Sequence, residues 1–241
     1  DGPKFKAKKN EFTKINYLGT KRLVEESLKA GVKRFIYLSS IKVNGELSSK
    51  NIPFTANSEP NPKGEYALSK YQAENQIRFI CEKSEMEYVL IRSTLIYGPG
   101  VRGNFLNLLK LISIGVPLPF VSIRNKRSIL YIGNLINFIN SCIDNPLAKN
   151  KLFLLADNTP LSTPELIKEI SKALNLKANL WNFPICLLNL IATITGKSDQ
   201  LKKLKGSLEV NSEESYNLLN IKPFFTTSEG LKITANWFKS K

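Results

Sequence analysis

The chain has 241 residues, 42% of them hydrophobic, with 35 Lys and Arg against 20 Asp and Glu and no histidine. Such a composition supports a sizeable buried core, and the missing histidine removes the commonest zinc ligand, so no metal site is expected. The formal charge of +15 raises the question of an anionic partner, but the basic runs at 6–9 and 202–205 are short and lack the interleaved aromatics that stack nucleobases, which argues against nucleic acid.

The amino terminus is charged and carries no apolar centre of the signal-peptide kind. Phe12 to Ala30 reads as a helix stopped by Gly31, followed by a buried strand over Arg34 to Ser39. Asn44 to Gly64 collects turn residues, then a helix is predicted from Tyr66 to Ser84. Tyr88 to Arg92 is a second apolar strand, running towards the turn Tyr97-Gly98-Pro99-Gly100. Helices are expected near Phe105 to Ile114 and Ile132 to Ile143, separated by a turn around Pro117 and Pro119. A third strand spans Lys151 to Leu155, and Ser162-Thr163-Pro164-Glu165 caps a helix that reaches Leu174. Beyond Leu161 helices dominate, ending on Trp237 and Phe238. The apolar run Phe183 to Ile194 is broken by Pro184 and Asn189 and is shorter than the ~20 residues of a membrane span, so a packed helix is expected there, with membrane-surface contact the lesser alternative. Cys81, Cys142 and Cys186 are too far apart in sequence for a CxxC pair and suggest a reducing, cytoplasmic setting.

Alternating short strands and helices predict a parallel α/β sheet covered on both faces. The chemistry gathers where such strands end. Ser39 and Ser40 close the first strand, and Tyr66 and Lys70 open the next helix one turn apart, so they share a face. An ammonium beside a phenol favours phenolate, which predicts a Tyr66 pKa drawn below its ordinary ~10. Ligands in open parallel sheets sit beyond the strands' carboxyl ends, where these residues and Arg92 converge.

In this order, Ser40, Tyr66-x-x-x-Lys70 and Tyr97-Gly98-Pro99-Gly100 resemble the extended short-chain dehydrogenase/reductase family, in its NAD-dependent nucleotide-sugar epimerase and dehydratase branch. The segments 38–46 and 127–135 are most similar to bacterial UDP-sugar 4-epimerases and 4-keto-sugar reductases of surface-polysaccharide synthesis. The resemblance implies hydride transfer at C4 of a UDP-sugar with NAD, or NADP, as carrier. It implies Ser40, Tyr66 and Lys70 as the catalytic set, with Tyr66 the acid/base, and Ser39, Tyr66 and Lys70 as cofactor contacts. It implies Arg127 on the substrate diphosphate, Asn104 and Arg102 towards the nucleotide end, and Asn16, on the helix before the catalytic strand, as structural support near the active site. Ser93 stands where relatives usually carry proline.

The family's opening strand, Gly-x-x-Gly-x-x-Gly turn and helix have no counterpart here. The resemblance therefore implies a partial Rossmann-like sheet without its first strands over 1–160, with 101–127 contributing to the substrate site, and a smaller, mainly helical substrate domain over 161–241. It leaves open a separate amino-terminal segment and a homodimer as partners. Two other readings stand beside the enzyme: an inactive, truncated remnant, and a basic module for nucleic acid or an acidic partner.

Overall fold

In the computed structural model the described residues are 11–49, 51–196 and 198–241; the basic run at 6–9 lies outside them. A π-helical stretch, Thr13–Gly19, runs straight into α1 (Thr20–Lys29), and Gly31 ends the helix at φ +74°, as its lack of a Cβ allows. There follow β1 (Arg34–Ser40), α2 (Gly64–Cys81), β2 (Glu87–Ser93), β3 (Leu95–Tyr97), α3 (Gly103–Ser113), β4 (Ile129–Tyr131), α4 (Ile132–Asp144) and β5 (Lys151–Leu155). The remainder is helical: α5 (Thr163–Ala173), α6 (Ile185–Ile194), α7 (Ser198–Lys205), α8 (Glu213–Leu218) and α9 (Thr227–Lys239).

The three predicted strands form one parallel sheet in the order β1-β2-β5, with Ser40 opposite Ser93 and Ser93 opposite Leu155. β2 is the central strand, and its alternation supplies both cores. Tyr88 and Leu90 pack with Val24, Tyr37, Ala73 and Ile77 on the α1/α2 side. Val89 and Ile91 pack with Leu135, Phe138, Phe153 and Tyr216 on the α4/α8 side. This is the partial Rossmann-like sheet with flanking helices that the sequence predicts.

β3 and β4 form a separate parallel pair that the sequence did not reveal, because three residues are too few to show a period of two. Their aromatic residues Tyr97 and Tyr131 pack with α3, α5 and α9 through Phe105, Leu109, Ile167, Ile170 and Leu231, so residues on both sides of position 160 share this core. Asp157 ties it together. Buried at 3% exposure, its carboxylate accepts from the Tyr97 hydroxyl at 2.9 Å, the Tyr131 amide at 3.1 Å and the Asn134 amide group at 2.9 Å. Burial pushes its pKa up against these donors.

α6 corrects an expectation. The predicted packed helix buries Ala192 alone, because its neighbour α7 is polar and contributes no buried side chain to cover it. Among the described residues no helix is long and apolar enough to cross a membrane, and no cluster of three metal-ligating side chains occurs. All three cysteines are free.

Candidate active site

β1 ends on Ser40, whose extended backbone caps the 3-10 turn Ile41–Val43 and whose hydroxyl accepts from the Lys42 amide at 3.3 Å. α2 begins at Gly64, where φ is +75° and a left-handed residue turns the loop into the helix. Two residues in, Tyr66 is half-buried against Phe12, ring edge to face at 5.6 Å. The Lys42 ammonium stands 5.6 Å from the centre of the Tyr66 ring. Asn16 donates to the Ser69 hydroxyl at 3.1 Å, and Ser69 donates to the Tyr66 carbonyl at 2.9 Å, so the π-helical stretch braces the first turn of α2 beneath the tyrosine.

Lys70 shares Tyr66's face of α2, but its ammonium donates to the Leu38 carbonyl at 3.0 Å and lies 4.6 Å over the Tyr37 ring. The tuned phenol predicted from the spacing is therefore corrected. Burial pushes the Tyr66 pKa up, and the opposing influence is a hydrogen bond with Ser40. Lys70 is itself pushed down by burial, with Glu74 one turn further on pulling it back up. The i, i+4 rule places both side chains on one face, but the carbonyl at the end of β1 decides where the ammonium points.

Ser39 is also corrected. It alternates with Ser40 along the strand, so its hydroxyl turns into the interior and donates to Glu74, where the sequence reading has a cofactor contact. Glu74 and Arg92 form a buried pair with side chains 1% and 3% exposed. Arg92 Nη2 reaches Glu74 Oε2 at 2.6 Å, Nε reaches Oε1 at 3.0 Å, and Nη1 donates to Asn44 Oδ1 at 3.0 Å. Glu74 was invisible to the sequence reading, although it continues the spacing 66, 70, 74 along one helix face.

Arg127 is half-buried between strand and carboxyl-terminal chain, its backbone bridged to Leu161 and Leu208. Among the described residues its guanidinium hydrogen bonds run from Nη1, to the carbonyls of Lys203 at 3.0 Å and Gly206 at 3.3 Å. Burial pushes its pKa down. Lys42 links this arginine to the tyrosine. Burial first, then the charges of Lys203 and Arg127, lower the Lys42 pKa, while Glu46 opposes them. Lys42 thus stands beside Tyr66 and within electrostatic reach of Arg127 and Lys203, the latter paired with Glu46 at 2.8 Å. Lys42 was missed, although it stands two residues after Ser40 in the segment that carries the resemblance.

Arg102 and Asn104 stand on α3 and its amino-terminal flank. Both are exposed at the start of α3, which begins at Gly103, so Asn104 lies within the helix rather than capping it. Among the described residues no hydrogen bond or ion pair joins either side chain to Tyr66 or Arg127.

A family model described as the NAD dependent epimerase/dehydratase family matches residues 2–155. A UDP-glucose 4-epimerase of Vibrio cholerae is 42% identical over 228 residues, covering 94% of this chain and 70% of the relative. The N-acetyl-alpha-D-glucosaminyl-diphospho-ditrans,octacis-undecaprenol 4-epimerase of Escherichia coli O157:H7 is 30% identical over 237 residues, covering 92% and 70%. In fold, the chain is similar to UDP-glucose 4-epimerase of Thermotoga maritima crystallised with UDP-glucose, with TM-score 0.77, 20% identity, and 97% and 72% coverage. It is also similar to UDP-glucuronic acid 4-epimerase of Bacillus cereus in complex with NAD, with TM-score 0.78, 18% identity, and 99% and 72% coverage.

Proposed function

Because the chain belongs to the NAD dependent epimerase/dehydratase family, we propose that it is a nucleotide-sugar 4-epimerase whose proton-transfer group is Tyr66. The observation that carries this reading is the meeting of Ser40 at the end of β1 with Tyr66 in the first turn of α2, where the Lys42 ammonium stands 5.6 Å from the ring centre. A proton-exchanging phenol together with the Lys42 and Arg127 cations suits a substrate with a reacting hydroxyl at one end and a diphosphate at the other. The Vibrio cholerae relative, a UDP-glucose 4-epimerase, supplies the substrate class. A 4-keto-sugar reductase would use the same residues, and a place in surface-polysaccharide synthesis belongs to the same proposal.

The residues at the strand ends fit the nicotinamide ribose end of NAD or NADP. Lys70, with one ammonium donor on the Leu38 carbonyl, keeps two more at the carboxyl end of β1, and Tyr66 offers a phenol on the same face of α2. When bound, the cofactor supplies hydride acceptance and return at the sugar carbon. The chain's own work is proton handling and positioning. Ser40 hydrogen-bonds the reacting hydroxyl and Tyr66 takes its proton and later returns one. Burial raises the pKa of the phenol and Ser40 opposes it, while the Lys42 ammonium stands 5.6 Å from the ring centre. Arg127 holds the diphosphate, and its guanidinium geometry suits bidentate contact with phosphate oxygens. Arg102 and Asn104 are assigned to the nucleotide end. In this proposal 1–160 carries the cofactor side, and 161–241 together with 101–127 carries the substrate side.

A second substrate class is favoured by one observation: α7, whose Lys203 carbonyl anchors Arg127, runs beside the exposed apolar helix α6. That suits a sugar carried on a lipid diphosphate, the kind of substrate named for the Escherichia coli relative. The test is turnover of UDP-glucose and of a polyprenyl-diphosphate sugar by the chain with NAD, read by nuclear magnetic resonance of the C4 configuration, with NAD affinity measured separately. Tyr66→Phe is expected to lose ~10²–10⁴-fold in turnover while binding of UDP remains. Undiminished turnover by that variant sinks the assignment of Tyr66, and failure of the chain to bind UDP-glucose sinks the substrate class.

A further inference from the structure

α6 carries Leu187, Leu190, Ile191 and Ile194 at the spacing i, i+3, i+4, i+7, so they form one stripe along a helix that is apolar nearly throughout. In a packed helix that stripe faces a core. Here it faces outward, with the four side chains 44%, 56%, 49% and 76% exposed, while Ala192 on the opposite side is the one buried. Trp181, 45% exposed, precedes the helix and packs edge-on against Phe183 at 5.0 Å. α6 itself has no charged residue; the charge lies beside it. α7 supplies Lys202, Lys203 and Lys205; Lys203 is paired with Glu46 at 2.8 Å, and Lys205 reaches across to Asn189 at the middle of α6, 2.8 Å from its side-chain oxygen.

We propose that α6 and α7 form a docking surface for an anionic lipid bilayer, on which the protein rests without spanning it. Leucines and isoleucines at the tip, a tryptophan at the margin and lysines alongside are the side chains that an interfacial helix needs: the apolar stripe enters the headgroup boundary to a depth of ~5–10 Å and the ammonium groups meet lipid phosphates. Charge complementarity selects this occupant over a second copy of the chain. A self-contact through α6 brings two sets of α7 lysines together in a chain of formal charge +15, whereas an anionic surface neutralises them. The same α7 holds Arg127 through the Lys203 carbonyl, with Gly206 just beyond it accepting a second bond, so a docked α7 places Arg127 near the membrane surface. The surface is separate from Tyr66, and the proposal stands apart from the reaction assigned there.

The test is co-sedimentation of the full chain with phosphatidylcholine vesicles, with and without phosphatidylglycerol. A polarity-sensitive dye on Cys186, the exposed cysteine on α6, serves as a second readout, since Cys81 and Cys142 are buried. Binding is expected with phosphatidylglycerol, weakened by salt and accompanied by a blue shift of the dye. Leu190→Glu with Ile191→Glu should lower the partition at least ~10-fold, from lost apolar burial on both side chains. Lys202→Gln should lower it by about fivefold, the effect of one basic residue at an anionic surface. Both changes are at exposed positions, and unchanged circular dichroism confirms the fold. The proposal is overturned by failure to sediment with either vesicle, by sedimentation indifferent to these substitutions, or by a concentration-dependent dimer that the Leu190→Glu/Ile191→Glu variant abolishes.

Discussion

Replacing Glu74 by glutamine removes one charge from a pair whose side chains are 1% and 3% exposed. Four hydrogen bonds meet at that carboxylate: Arg92 Nε to both oxygens at 3.0 and 3.2 Å, Arg92 Nη2 at 2.6 Å, and the Ser39 hydroxyl. An amide keeps the shape but turns one acceptor into a donor aimed at a guanidinium, and it leaves the arginine's charge uncompensated in the core. Breaking such a pair by changing one member costs about 3–5 kcal/mol. For a chain of this size that corresponds to a fall of roughly 10 °C in melting temperature. Urea unfolding followed by circular dichroism measures the loss directly, with the slope against urea unchanged if the effect is local. The double variant Glu74→Leu/Arg92→Met removes both charges together and should recover most of the loss, because an apolar pair has no desolvation to offset. The consequence for the site follows from spacing. Tyr66, Lys70 and Glu74 lie on one face of α2, so loosening Glu74 releases the helix that presents the phenol, and turnover should fall along with stability. A single-variant loss below about 1 kcal/mol, or a double variant in which the two single losses simply add, refutes the reasoning.

Arg127→Ala should weaken UDP-sugar binding by about 1.5–3 kcal/mol, the value of a charge-assisted contact, read by titration calorimetry; unchanged affinity removes Arg127 from the diphosphate. Gly98→Ala should cost about 1–3 kcal/mol in urea unfolding, because φ is +151° there and a Cβ would stand 2.3 Å from Ile132 Cγ2. Burial pushes the Tyr37 phenol up to about 12, so stability is unaffected by this group below pH ~10, where folded and unfolded phenols are both protonated, and falls by about 2–3 kcal/mol as pH rises towards the folded value and only the unfolded phenol ionises. Urea midpoints measured against pH should show that alkaline loss in the wild type and a shallower one in Tyr37→Phe. At neutral pH the same variant should lose less than about 1 kcal/mol, because the Tyr37 hydroxyl has no hydrogen-bond partner among the described residues.

The sequence alone determined the elements whose signals are local. Gly31 stops α1, Ser162 and Glu165 form the capping box of α5, and three apolar runs become the parallel strands β1, β2 and β5. Their order also made the family legible, since Ser40, Tyr66, Lys70 and Tyr97-Gly98-Pro99-Gly100 are recognisable at fixed positions. Whatever depends on distant segments meeting was decided by the tertiary structure. The pair β3–β4 was hidden because its pattern lies in its partner rather than in its own three residues. Lys70 turned from the phenol to the Leu38 carbonyl, and Ser39 turned inward to Glu74, because strand alternation and the end of β1 choose a side chain's partner where helical spacing chooses only its face. α6 has the sequence of a core helix, yet burial requires an apolar neighbour, and the fold gives it α7 and open surface.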